Sequence, residues 1–165
     1  MARATTVTAP QSRPQVAAPA QVALPPDSGY HARWSAQSPD PILEPAQLAT
    51  LVVALQNTGP RGWYRGVAGE EANLGTNDPQ DAERPELADG WLSANRLTST
   101  TTEYVGPGEV GWFEFKVRAP STAGEYRLAL RGVVEGVDWL EDDGIFFTIH
   151  VVPTVAAELS LSFDP

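Results

Sequence analysis

Apolar and polar residues alternate with a period of two along much of this chain. In LATLVVALQN, Leu51, Val53 and Leu55 fall on one face. VGWFEFKVRA places Phe113, Phe115 and Val117 on one face and Glu114, Lys116 and Arg118 opposite. EYRLALRG turns Tyr126, Leu128 and Leu130 one way and Arg127 and Arg131 the other. GIFFTIHV separates Phe147, Ile149 and Val151 from Phe146, Thr148 and His150. This period predicts half-buried strands, each with one face on a core. Clusters of Gly, Pro, Asn and Asp separate them, as turns require. No helical period and no internal repeat stand out. A sheet with one apolar face needs a second layer, and with no helix to supply it that layer is another sheet. The expectation is an all-β, antiparallel sandwich of about seven strands.

The alternation begins near Tyr30. Residues 1–28 are rich in Ala, Pro, Gln, Val and Thr, and their prolines exclude a helix. They read as a flexible or polyproline-II arm, or as an arm that docks on a neighbour. The sandwich is expected over residues 29–153. In the tail, 154–165, Leu159, Leu161 and Phe163 alternate with Glu158, Ser160 and Ser162. It reads as a final strand, a linker to a further domain, or a strand that pairs with another molecule. Residues 67–90 form one long polar stretch with room for a short strand around Ala72–Leu74, and a connection of that length is often functional.

Composition agrees with the pattern and narrows the chemistry. Among 165 residues there are 14 glycines and 15 prolines, a content that suits short strands and tight turns. A formal charge of −10 repels phosphate backbones, so no nucleic-acid partner is expected. With no cysteine there are no disulfides, thiolate metal sites or thiol nucleophiles. No apolar run is long enough for membrane insertion. The N-terminus lacks a signal peptide's apolar core, which points away from secretion by that route or to a leader already removed.

The signatures NTG-x3-W (Asn57 to Trp63), LG (Leu74-Gly75), Trp91, PGE-x3-F-x-F (Pro107 to Phe115), AP-x3-G-x-Y (Ala119 to Tyr126) and EG-x2-W (Glu135 to Trp139) follow one another in order. This ordered set resembles the four-tryptophan domain, the immunoglobulin-like central domain of selective autophagy receptors. It is similar above all to that domain's bacterial relatives in cell-surface and secreted proteins. The similarity covers roughly Trp34 to Val152 and leaves out both ends. It implies an immunoglobulin-like sandwich that binds proteins or acts as a structural module, without catalysis. Trp112 departs from the pattern, where a small or polar residue is expected.

Catalytic motifs are wanting. Gly106 to Gly111 matches GxGxxG, but a strand follows it and a proline lies within it, so it reads as a turn rather than a nucleotide site. His31 and His150 are far apart in sequence, and His150 is expected on the solvent face of the last strand. No enzyme and no cofactor are expected.

The acids are more telling. Residues 68–90 carry Glu70, Glu71, Asp78, Asp81, Glu83, Glu86 and Asp89 against Arg84 alone. The loop after strand F carries Asp138, Glu141, Asp142 and Asp143. In an immunoglobulin-like sandwich these loops share a pole. The acidic pole would be a solvated surface, a dock for a basic partner, or a calcium site built from Asp138, Glu141, Asp142 and Asp143.

Facing divides the tryptophans. Trp34 and Trp91 are expected in the core or at its rim. Trp63 and Trp139 would close the acidic pole by packing together, or would form with Tyr64 a platform for a glycan or peptide. Trp112 shares the polar face with Glu114 and Lys116, and Val52 and Ala54 share it from the neighbouring strand. That makes Trp112 a contact candidate unless the arm or Lys116 covers it. The sequence thus suggests a non-catalytic interaction module in a cell-surface, extracellular or particle-coat assembly. Its protein partner or second copy would bind through the arm, the tail or the outer sheet face. The alternative is a carbohydrate- or peptide-binding module.

Overall fold

The computed structural model describes residues 26–154. The tail and nearly all of the N-terminal arm lie outside that range. The strands are β1 (Ala32–Gln37), β2 (Ile42–Leu43), β3 (Leu48–Asn57), β4 (Trp63–Tyr64), β5 (Ala72–Asn77), β6 (Ala88–Asp89), β7 (Arg96–Ser99), β8 (Tyr104–Val105), β9 (Val110–Arg118), β10 (Gly124–Val134), β11 (Asp138–Trp139) and β12 (Ile145–Val151). No helix occurs among the described residues.

Two sheets face each other. One has the order β1-β3-β9-β6; the other runs β2-β12-β10-β5-β7, with β11 added on β10. The short β4-β8 ribbon closes one end. The first, second and fifth strands of the immunoglobulin plan share one layer here, and the third, sixth and seventh share the other. The fold is an all-β immunoglobulin-like sandwich. Its pairings are antiparallel except that of β2 on β12, which is parallel.

Alternation builds the core. Along β9 the odd residues Gly111 to Val117 are buried and the even ones exposed. Phe113, Phe115 and Val117 meet Phe147 and Ile149 from the opposite layer within one buried cluster. Phe115 and Phe147 pack edge to face, with ring centroids 6.0 Å apart. The Gly106–Glu109 segment is a turn, as its context requires. The Glu109 N–H donates to the Gly106 carbonyl at 3.0 Å, and the Gly106 N–H to the Glu109 carboxylate at 2.7 Å. Gly108 takes φ +80°, which suits glycine.

The strand expected as a short excursion around Ala72–Leu74 is larger. β5 runs to Asn77 and lies between β10 and β7 in the middle of its sheet. The 67–90 stretch also supplies β6 on the edge of the other sheet.

Loops occupy parts of the edges of the smaller sheet. Beside β9, the Arg118 N–H donates to the Leu87 carbonyl at 2.9 Å and the Thr101 N–H to the Trp112 carbonyl at 2.9 Å. The Trp91 indole N–H donates to the Lys116 carbonyl at 2.6 Å. Beside β1, the Ala32 and Trp34 N–H groups donate to the carboxylates of Glu141 (3.0 Å) and Asp143 (2.6 Å). An exposed ladder edge invites pairing with another chain, and these groups close those parts of it.

Candidate functional site

The acids do not gather at one pole. Asp89 pairs with Arg118 at 3.5 Å, toward the C-terminal end of β9. Asp81 and Glu135 both hold Arg96, and Asp78 lies 3.5 Å from Arg127. The four calcium candidates are likewise engaged separately. Asp138 accepts from the Ser28 hydroxyl at 2.6 Å, and Glu141 and Asp143 cap β1. Asp142 accepts from Asn77 and from the Gly144 N–H, and these bonds hold its carboxyl below the usual range. No three Asp, Glu or His groups converge on a metal position among the described residues. Each of the four carboxylates serves a donor of its own.

One acidic contact is a clamp. His31 Nδ1 lies 2.5 Å from Glu141 and its Nε2 2.8 Å from Asp27. Glu141 first, then Asp27, raises the imidazole pKa above its ordinary value. This clamp and the Ser28–Asp138 bond fix the chain where it enters the sandwich.

The aromatic platform is not assembled as expected. Trp63 is wholly buried and packs against Phe113, with centroids 6.2 Å apart. A two-residue strand gives no alternation to read, and its inward residue is the tryptophan. Trp139 is half-buried on the outer side of the larger sheet, between Arg96 at 4.9 Å and Arg131 at 5.7 Å. Its ring would stand 3.1 Å from a Cβ on Gly75, so a side chain there would have to displace it. Among the described residues Trp63 and Trp139 form no ring contact. Tyr64 is half-exposed and stacks instead on Tyr104, a residue the sequence reading missed, at 4.7 Å. Each tyrosine covers part of the other.

Trp34 also departs from expectation. It stands 44% exposed at the edge, where β1 shifts register after it, and its indole N–H donates to Gln37. Trp91 packs at the core rim, as expected.

The outer face of the smaller sheet carries the remaining candidates. Trp112 is 48% exposed and lies opposite Ala54 on β3. Ala54 faces outward as expected but is fully covered. The cation–π pairs among the described residues involve Arg61, Arg96, Arg127 and Arg131, so Lys116 does not shield Trp112. Beside Trp112 runs a shallow groove of about 580 Å³, lined by Ala36, Gln37, Val52, Thr101 and Glu114. Val52 and Trp112 were legible from alternation. Ala36 and Gln37 were not, because they reach the face only through the β1 register shift.

No protein-family model and no curated protein matches the chain. Among solved structures, it is similar to the CARDB domain of the PF1109 protein from Pyrococcus furiosus, solved in complex with di-metal ions. That match has 15% identity, 78% coverage of this chain, 97% of that one and a TM-score of 0.43. The ASH/PapD-like domain 7 of human CEP192 is similar at 12% identity, with coverages of 81% and 92% and a TM-score of 0.39. AvmM, which catalyzes macrocyclization in alchivemycin A biosynthesis, is similar at 11% identity, with coverages of 78% and 92% and a TM-score of 0.35. At such identities no residue of this chain inherits a role from them. The class stands on its own topology: an immunoglobulin-like β-sandwich.

Proposed function

We propose that this chain is a non-catalytic protein-interaction module. In this reading it belongs to a cell-surface, extracellular or particle-coat assembly and contacts its partner through the outer face of the β1-β3-β9-β6 sheet. The observation that carries the reading is Trp112, half-exposed beside an apolar groove on a sheet whose β1 edge already has its Ala32 and Trp34 N–H groups bonded. With that edge occupied, strand addition there is disfavoured and a face contact remains. An exposed tryptophan is the side chain best suited to anchor such a contact. The ordered tryptophan motifs support a module of the four-tryptophan type.

A photo-crosslinking side chain placed at Glu114 tests this. A control goes at Thr148, on the outer face of the opposite sheet. Adducts to another protein chain that form from Glu114, fail to form from Thr148 and vanish on Trp112→Ala support the reading. Equal adducts from both positions, or none from either, overturn it.

A further inference from the structure

Tyr64 on β4 and Tyr104 on β8 stand directly opposite each other. The Tyr64 N–H donates to the Glu70 carbonyl at 2.9 Å instead of across the ribbon. The two therefore form a non-hydrogen-bonded pair, the kind in which opposing side chains stand closest. Their ring centroids lie 4.7 Å apart, with 38° between the planes. Each residue is half-exposed.

The local sequence fixes this facing. Trp63 and Val105 are register partners and both are buried, so alternation turns the residue beside each of them to solvent. On the other side of the pair, Arg65 clasps the ribbon. Its N–H donates to the Glu103 carbonyl at 2.9 Å, and its guanidinium to the Thr101 carbonyl at 2.7 Å. Glycines make room for the second ring. A Cβ on Gly62 would stand 2.3 Å from Tyr104 Cε2, and one on Gly106 3.2 Å from Cε1. Desolvation first, then the neighbouring Tyr64 phenol, raises the Tyr104 pKa above its ordinary value, which is consistent with phenol ends that meet. The other two tyrosines are placed differently. Tyr30 is buried and donates to the Gly69 carbonyl at 3.2 Å, and Tyr126 donates to the Thr122 carbonyl at 2.6 Å. Neither packs on another ring among the described residues.

Two exposed phenols in contact are a substrate for oxidative coupling. A one-electron oxidant takes an electron and the hydroxyl proton from each ring. The unpaired spin of a phenoxyl radical resides in part on the carbons beside the oxygen, Cε1 and Cε2. Two such radicals in contact form one Cε–Cε bond. Each joined carbon then gives up its proton and a proton returns to each oxygen, so both hydroxyls are restored and the pair has lost two hydrogens. Hydrogen peroxide, used by a peroxidase, accepts the two electrons and two protons and leaves as two waters. Radicals held side by side couple before either meets a second molecule. Charge works in the same direction, because two copies at −10 each repel.

We infer that Tyr64 and Tyr104 are the site of an intramolecular dityrosine cross-link, formed by a peroxidase with hydrogen peroxide. The chain has no cysteine, so this carbon–carbon bond takes the place a disulfide would hold, and reducing agents do not open it. It closes the stretch that carries β5, β6 and β7, and such a closure restricts the unfolded chain. Neither tyrosine lines the Trp112 groove, so the inference stands apart from the interaction reading.

The full chain is treated with a haem peroxidase and hydrogen peroxide, and the monomer is recovered. Four results are expected: the fluorescence of a biphenol, a mass lower by two hydrogens, a proteolytic fragment joining Tyr64 to Tyr104, and a raised thermal midpoint that persists in reductant. Tyr64→Phe and Tyr104→Phe should each abolish all four. Both substitutions remove only the hydroxyl of a half-exposed ring, so the untreated variants keep the fold. Tyr126→Phe should leave the four results unchanged. A recovered monomer with no joined fragment overturns the inference, as does a link that survives Tyr64→Phe or one that forms only between two chains. A joined monomer no more stable than the untreated protein overturns its role as a staple.

Discussion

His31 binds two carboxylates at once, and Glu141 uses its second oxygen to hold the Ala32 N–H. A folded-state pKa raised above 6.5 means the folded protein holds that proton more tightly than the unfolded chain. The clamp's contribution is therefore complete below the imidazole's ordinary pKa and is lost as pH rises through the raised value. The difference in thermal midpoint between the native chain and His31→Asn should be largest near about pH 5 and shrink toward about pH 9. A difference that grows with pH would exclude the clamp. Trp63 poses the opposite case, a large side chain with every atom enclosed. Trp63→Ala should cost about 3–5 kcal/mol in chemical denaturation, the range for emptying a large aromatic site. Trp63→Phe should cost much less, because the buried Trp63 indole N–H has no hydrogen-bond partner to lose. Similar losses for the two variants would be inconsistent with that environment.

At the level of the strand, the acidic loop before β12 acts as a border for β1. The Asp143 carboxylate accepts from the Trp34 N–H in place of a neighbouring strand. Asp143→Ala should speed exchange of the Trp34 amide about ten-fold, since a bond to a charged acceptor is worth at least ~1.5 kcal/mol. Hydrogen exchange read by NMR checks this, and an unchanged rate would show the edge protected by something else. The four long strands could be read from alternation because polar residues mark the outer face of each, such as Thr50 and Gln56 on β3 and Arg127 and Arg131 on β10. β5 could not, because ANLGTN is buried on both sides. Leu74 and Thr76 point into the core, while Trp139 covers Gly75 on the outside. Polar Asn73 and Thr76 made a central strand resemble a loop. Trp34 was misplaced for a related reason, since neither the β1 register shift nor its edge position leaves a mark in a period-two pattern. Trp112 was legible because it lies mid-strand in the cleanest alternation of the chain.

The whole molecule carries 21 acidic residues against 11 basic ones. Many acids are already paired, yet the sum still repels itself. Raising salt from about 0.01 M to about 0.15 M shortens the screening length from roughly 30 Å to 8 Å. The thermal midpoint should rise over that interval, because exposed ion pairs lose little when screened. A fall would mean that the pairs outweigh the net charge. One further property follows from where β2 sits. The chain enters the sandwich beside Glu141 and leaves past Val151, at the far end of β12. There β2 runs parallel to β12, tied by the His150 N–H to the Pro41 carbonyl at 3.0 Å and the Val152 N–H to the Leu43 carbonyl at 2.8 Å. Tension applied between these two points would pull along the strands, loading both bonds together instead of peeling them in turn. In a single-molecule pulling experiment the domain should resist as a unit and then give way in one abrupt rupture; gradual yielding at low force would show that this seam bears no load.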